Sequence, residues 1–471
     1  MIRLDLKDRL SEKDILKYIK EHDNSRYIEN QRYYEGNNAG IMDRLPPNTE
    51  SQLPDNKVPM PYGRKIINTV TGYMYKPGLI KYTLDDGKYK KAIDEIFLLN
   101  DEPVKTSQIG KQTSIQGVGY ELHYVQGIET NDSKLPRKAI PRFVKLPVAE
   151  LIPIYDRALE AMMIAAIRHY MLDKNLGMVE VYYSDVIEYY ELMQDPQSKS
   201  SKLRKLKENG HFYGRVPIVE YKNNEELIGD FEPVKYLIDA YDIMISDSVN
   251  EFDRFAAAYL VLKGVRMDED DVEHIRAQRI LELVQEGAAE FLTKDIPHEF
   301  IQFMTKLLRE EIHKQSHVPD FLEGRTGDTL SGVAISKLLY DFEFIAATKE
   351  AYFREALRDR FRMINAILNI RDGKTGDPND IEILMERNIP QMDKENAEIM
   401  EKYSGHGISK HTLIENFAPF VMDVDEELKR YKEEQEESID LDAIYDNSEE
   451  GSTGDERDGR ENDQGNREGA R

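Results

Sequence analysis

The sequence predicts an α+β fold that is mainly helical, and three observations carry that prediction. Long stretches place apolar residues at three- and four-residue steps, most clearly 231–255, 298–316 and 332–371. Between 117 and 221 the texture changes to alternating β-branched and aromatic residues, the period of half-buried strands. With 471 residues, 40% of them hydrophobic, the chain can build about two to four domains around substantial cores.

Taken in order, Ser11 with Asp14 three residues on forms a capping-box pattern that opens a helix over 11–21, and a second helix follows through Tyr33. Asn, Pro and Gly make 37–56 a loop. Residues 65–75 read as a helix ended by Pro77, and 89–99 as another, closing at Asn100 and Asp101. The segments 120–125, 142–146, 165–172, 178–183 and 186–192 alternate as strands of an antiparallel meander. A basic tract follows within 195–210: Lys199, Lys202, Arg204, Lys205 and Lys207. Such a tract can grip phosphate, but a solvated hairpin tip has the same composition more often. Residues 214–221 read as a strand, with a turn at Asn223-Asn224.

Two amphipathic helices organise the middle of the chain. In 231–255, Val234, Leu237, Ile238, Tyr241, Met244, Ile245, Phe252 and Phe255 gather on one face, while Asp239, Asp242, Ser246, Asn250 and Asp253 repeat on another. At 1.5 Å per residue this helix runs roughly 37 Å, and 298–316 runs roughly 28 Å with Phe300, Ile301, Met304, Leu307, Leu308 and Ile312 on its apolar side. The pair predicts a stalk that leaves the body and returns; a hairpin lying flat on the body has the same pattern. The insert between them carries strands near 259–262 and 289–293, the acidic run Asp268, Glu269, Asp270 and Asp271, and a helix over 272–283 that includes Glu273. It is too small to cover its own core without neighbours, a hint of self-association.

After the stalk, 319–330 is a loop rich in turn formers, and Ser331 is a helix cap. The following helix, 332–371, would span roughly 60 Å before Gly373 stops it. Antiparallel helices need only about 2 to 8 linking residues, so a loop of this length either serves a purpose or is a disordered connection. Residues 380–431 read as helical, with a break at 405–409. Beyond Glu437 apolar residues almost vanish, and disorder is expected there.

Composition and motifs exclude most chemistry. There is no cysteine, which removes disulfides, thiolate metal sites and cysteine nucleophiles. The charged N-terminus and the lack of a long apolar run argue against export and membrane insertion. A net charge of −25 opposes tight, phosphate-neutralising nucleic-acid binding but allows DNA to slide past. Gly373-Lys374-Thr375 lacks the phosphate-loop glycine, because Leu368 stands there; Gly405-His406-Gly407 lacks the third dinucleotide glycine, because Lys410 stands there. His313 and His317 share an i, i+4 spacing without the glutamate of zinc proteases, and Asp270-Asp271 sits in a charged run. No enzyme, cofactor or metal is expected.

The order and wording of several short motifs resemble the portal proteins of tailed bacteriophages, in particular those of long-tailed phages of Gram-positive bacteria. The motifs are Tyr33-Tyr34-Glu35-Gly36, the run Ile66 to Pro77, Ser114-Ile115-Gln116-Gly117, the run Gly214 to Phe255, Ser331-Gly332-Val333-Ala334-Ile335, Gly407-Ile408-Ser409 and Val424-Asp425-Glu426-Glu427. The resemblance implies a ring, usually of twelve subunits, at one capsid vertex, assembled in the host cytoplasm. Double-stranded DNA would pass through its channel without sequence specificity. It implies a wing over 1–230, stem helices over 231–262 and 298–318, a clip over 263–297, a tunnel loop over 319–330, a long wing helix over 331–372, a crown over 373–437 and an acidic tail over 438–471. The clip would dock the terminase large subunit and then head-completion or adaptor proteins, with Asp268, Glu269, Asp270, Asp271 and Glu273 as docking candidates. Capsid and scaffold proteins are further expected partners. Channel candidates are Asp239, Asp242 and Asp253 as repelling acids, and Lys314 and Arg325 as brief phosphate contacts. Arg325 has a competing fate in pairing with Asp320, Glu323 or Asp328. The alternative is an acidic helical scaffold or adaptor that binds a partner through its stalk tip.

Overall fold

The structure is a computed structural model that describes residues 2–5, 9–46, 54–127, 139–194, 201–256, 259–263, 288–292, 298–320, 332–373, 376–389, 393–404, 406–418, 421 and 423–434. The chain forms two compact units, Met1–Ile389 and Pro390–Arg471.

In the first unit, the helices are α1 (Glu12–Glu21), α2 (Ser25–Glu35), α3 (Ala39–Met42), α4 (Tyr62–Met74), α5 (Gly87–Asn100), α6 (Glu102–Gln116), α7 (Lys235–Ala256), α8 (His298–Ser316) and α9 (Gly332–Asp372). The strands are β1 (Ile2–Arg3), β2 (Ile80–Thr83), β3 (Val118–Gly127), β4 (Ala139–Leu146), β5 (Leu151–Tyr155), β6 (Met163–Asp173), β7 (Leu176–Tyr182), β8 (Val186–Gln194), β9 (Ser201–Gly210), β10 (Ile218–Lys222), β11 (Tyr259–Lys263), β12 (Ala288–Leu292) and β13 (Glu382–Met385). Helix therefore predominates over strand, as the periodicity requires.

Helix α1 begins as its capping box dictates. The Ser11 side chain accepts from the Asp14 backbone N–H, and the Asp14 carboxylate receives the Ser11 N–H. Its one fully buried residue, Ile15, packs with Ile152, Ile167, Val179 and Val181 on a six-stranded sheet ordered β1-β5-β6-β7-β8-β9. In that sheet β1 is parallel to β5 and the other pairs are antiparallel. A second, antiparallel sheet has the order β10-β3-β4. The expected meander is thus divided between two sheets.

From residue 201 on, the basic tract after β8 forms strand β9. Lys205 pairs with Glu188 at 2.8 Å, Arg204 pairs with Glu191, and the Lys207 ammonium lies 4.7 Å from the Tyr189 ring centre. Within the described part, cross-strand acids and an aromatic ring therefore meet these cations, and Lys199 lies outside the described residues.

Several elements depart from expectation, the short helix α3 inside the expected loop 37–56 among them. Helix α6 has little apolar periodicity because nearly every side of it is covered. Thr106, Gln112, Thr113, Ser114 and Gln116 are buried along with Ile109 and Ile115. Residues 382–385, read as helical, form β13, which pairs with β2 and ties 376–389 to the first unit. In the insert, β11 and β12 form an antiparallel pair with Tyr259 opposite Leu292; the acidic run and the expected helix over 272–283 lie outside the described residues.

The main core runs along α9. Phe342, Ala346, Lys349, Phe353, Ala356 and Arg360 follow one another at steps of three and four, and all are buried. Arg360 offers Nη2 to Glu121 at 2.7 Å and Nη1 to Glu102 at 3.0 Å. Burial alone would raise the Glu121 carboxyl, but Arg360 and His123 hold it down at about 2.

The second unit holds α10 (Asp393–Ser404), α11 (Lys410–Phe417) and a last helix, α12, over 424–434. Ser409 caps α11 by accepting from the Thr412 N–H.

Candidate functional site

Helices α7 and α8 form the predicted hairpin, and α8 has the bounds expected from its periodicity. The root of α7 is fixed by several anchors. Gly117, at φ 79°, leaves no room for a side chain, since a Cβ there would lie 2.0 Å from the Leu227 carbonyl oxygen. Asp230 accepts two 2.7 Å bonds from Lys349, whose ammonium also reaches Asn223 at 2.7 Å and Ser114 at 2.9 Å. Burial lowers the proton affinity of Lys349, and the Asp230 carboxylate works against that. Phe231 is fully buried and stacks on Tyr33, and Glu232 takes 2.7 Å bonds from the Arg26 guanidinium. The stretch Gly229 to Pro233 is therefore the hinge block that sets the departure of α7. Its main anchor, Lys349, was missed in the sequence. The signal was present: a lysine standing on the apolar stripe of α9.

The polar stripe of α7 has a partner within the subunit. The chain that follows α3 returns antiparallel to α7, and its backbone and side chains fill the stripe rung by rung. The Met60 N–H donates to Asp242 at 2.9 Å, the Val58 N–H to Ser246 Oγ at 3.0 Å and the Asn56 N–H to Asn250 Oδ1 at 2.7 Å. Asn38 Nδ2 donates to Asp242 at 2.6 Å, Asn56 Nδ2 to Asp253 at 2.6 Å, and the Tyr33 hydroxyl to Asp239 at 2.6 Å. Alternate residues on one side meet every fourth residue on the other. Two residues of extended chain advance about 6.6 Å, close to the roughly 6 Å advance of four helical residues. Arg44 closes the clasp on Asp247 at 3.0 Å.

This geometry places two of the channel candidates inside the clasp. Asp242 is fully buried and Asp239 half-buried, and both spend their carboxylates on groups of the same subunit. Neither is a free acid facing solvent. Burial raises the carboxyl of both, that of Asp242 to about 6. Asp253 remains exposed beside Asn56. Helix α7 turns outward Tyr236, Ala240, Ile243, Val249 and Phe252, with Asp247 half-exposed among them. The apolar side of α8 is also partly open, with Phe300, Phe303 and Leu307 exposed at steps of three and four.

At the base of α8, His313 donates from Nδ1 to the Val318 carbonyl at 2.8 Å and turns Nε2 to Lys65 at 3.1 Å. Burial lowers its proton affinity, in keeping with a neutral ring that accepts from Lys65. Asp320 is held by Lys65 at 3.2 Å and Arg309 at 3.4 Å, so the first residues of the following loop are anchored. His317 adopts φ 56° and breaks the helix there. Lys314 is exposed and lies 3.4 Å from Glu311. Arg325, Asp268, Glu269, Asp270, Asp271 and Glu273 lie outside the described residues. Among the described residues no helix is long and apolar enough to cross a membrane, and no cluster of three metal-ligating side chains occurs.

A family profile described as "Phage portal protein, SPP1 Gp6-like" matches residues 13–441. A portal protein of Bacillus phage SPP1 is 25% identical over 308 residues, covering 62% of this chain and 61% of that protein's length. A portal protein of Clostridium phage phiCD119 is 22% identical over 402 residues, covering 81% of this chain and 85% of the relative. Among solved structures, a chain described as "Neck of empty GTA particle computed with C6 symmetry" aligns with a TM-score of 0.41 at 13% identity, covering 76% of this chain and 90% of that one. The chain belongs to the phage portal protein family of the SPP1 Gp6-like type.

Proposed function

We propose that this chain is the subunit of a ring-shaped portal at one vertex of a phage capsid, through which double-stranded DNA is packaged and later released. The observation that carries the reading is the family match over residues 13–441, which takes in the α7–α8 hairpin and its anchored root. In this reading the two sheets and the helices around α9 are the wing, α7 and α8 the stem, and the segment between them the clip that docks the terminase and then head-completion proteins. Residues 319–330 are the tunnel loop. The crown begins at residue 390, where the second unit starts, because β13 belongs to the first.

The clasp changes the expected basis of DNA mobility. With the acid stripe of α7 satisfied internally, the stem offers its neighbours and the bore Tyr236, Ala240 and Ile243 and the apolar edge of α8. Asp253 and Lys314 stay as channel candidates on exposure, and Arg325 on its place in the loop. Sliding then rests on a scarcity of cations together with the net charge of −25, since affinity for duplex DNA grows with each neutralised phosphate.

The test is assembly. The full chain, alone and with its capsid protein, is weighed by mass photometry and imaged in negative stain. Closed rings with a central hole are expected; a monomer or dimer under every condition refutes the reading.

A further inference from the structure

In the second unit, α10, α11 and α12 leave a groove of about 340 Å³ whose apolar lining is Met400, Leu413, Ile414, Leu428 and Tyr431, with Glu401, Ser404 and Glu427 also lining it. Lys410 stands at its rim with its ammonium 4.9 Å from the Tyr431 ring centre, and Tyr431 is 43% exposed. A cavity of about 150 Å³ holds a benzene-sized group, so this groove has room for about two large side chains. Three short helices make a poor core alone, because units near 40 residues bury too little of their surface.

The sequence beyond α12 offers a matching piece. After Glu434 come Glu436 and Glu437, then Ile439-Asp440-Leu441-Asp442-Ala443-Ile444-Tyr445. Of the 26 residues after Tyr445 only Ala470 is apolar. Every large apolar side chain of the terminal region is thus collected in this one heptad, and its acids have one cation, Lys410, among the residues that line the groove. Ile439 lies five residues past Glu434, a reach of roughly 17 Å when extended. That exceeds the roughly 10 Å diameter of a helix, so the chain can double back over the unit it has just left. A tether this short gives an effective concentration in the millimolar range, which favours the attached segment over a free partner of equal intrinsic affinity.

We infer that Ile439–Tyr445 docks in the groove of its own subunit and completes the core of the second unit, with Leu441 and Ile444 as the anchoring side chains and Asp440 or Asp442 facing Lys410. The inference does not depend on the portal reading.

Hydrogen exchange read by mass spectrometry tests it on the full chain, the L441D/I444D variant and a chain ending at Glu437. Peptides from α11 and α12 should exchange at least tenfold faster in both altered chains, while peptides from α9 stay unchanged as the internal control. A synthetic peptide of residues 436–447 at millimolar concentration should restore slow exchange to the shortened chain. Equal exchange in all three proteins overturns the inference. So does a photo-crosslinker at position 445 that joins two chains; one that joins residues 400–431 of the same chain supports it.

Discussion

Asp242 is the point where the clasp can be interrogated without dismantling it. Its carboxyl is raised from an ordinary value of 3.8 to about 6, chiefly by burial, while Asn38 and the Met60 N–H pull it back. A group whose proton affinity is higher in the fold than in the unfolded chain favours folding when protonated. That contribution is full below about pH 4 and is lost as pH rises through about 6. Each tenfold change in proton affinity is worth about 1.4 kcal/mol, so ionising Asp242 in place costs about 3 kcal/mol. Asp242→Asn keeps an acceptor for the Met60 N–H and carries no charge. The difference in melting temperature between variant and wild type, measured from pH 4 to 8, cancels the titrating groups that do not interact with residue 242, and Asp239 is the neighbour that does. It should move in the variant's favour mainly between about pH 4 and 6, most steeply near 5, and level off above about 6. A difference that is flat across that range would refute the claim that this carboxylate is ionised at a cost inside the clasp.

Three further outcomes follow from the same structure. His22 and His169 meet at 3.1 Å between α1 and β6, and burial depresses both, His169 to about 4; stability should fall as pH drops from about 6.5 towards 4, and His169→Phe should flatten that limb in thermal melts. Lys349→Met strips Asp230 and Asn223 of a buried partner and should cost about 3–5 kcal/mol in urea unfolding, with part regained in K349M/D230N. Gly117→Ala should cost at least about 1–3 kcal/mol from the left-handed backbone alone, before the overlap with Leu227 is counted, and shows as a lower soluble yield and melting temperature.

The legible parts of this chain were those in which one residue type repeats at one period. The α8 bounds and the α1 cap could be read directly, because periodic apolar residues and a local capping box need no knowledge of the rest of the fold. The polar stripe of α7 was also seen, but its meaning was not. A row of Asp, Ser and Asn looks the same whether water or a passing backbone satisfies it, and Asn56, Val58 and Met60 contribute through main-chain groups that carry no sequence signature. Helix α6 was hidden by its burial on almost every side, and β9 by cations whose partners Glu188 and Glu191 sit on another strand. Lys349 and Arg360 were legible in retrospect as two charges on an apolar stripe.

The ladder along α7 joins two rulers of unequal pitch. Each rung adds about 0.6 Å of mismatch between roughly 6.6 Å of extended chain and roughly 6 Å of helix, and hydrogen bonds tolerate only about half an ångström of stretch. Such a fastening limits its own length: small adjustments absorb the drift over three rungs, from Met60 to Asn56, and a fourth would fall out of step. A one-residue insertion between Asn56 and Met60 would throw the remaining rungs out of phase at once, whereas the same insertion just upstream of the fastening would leave every rung intact.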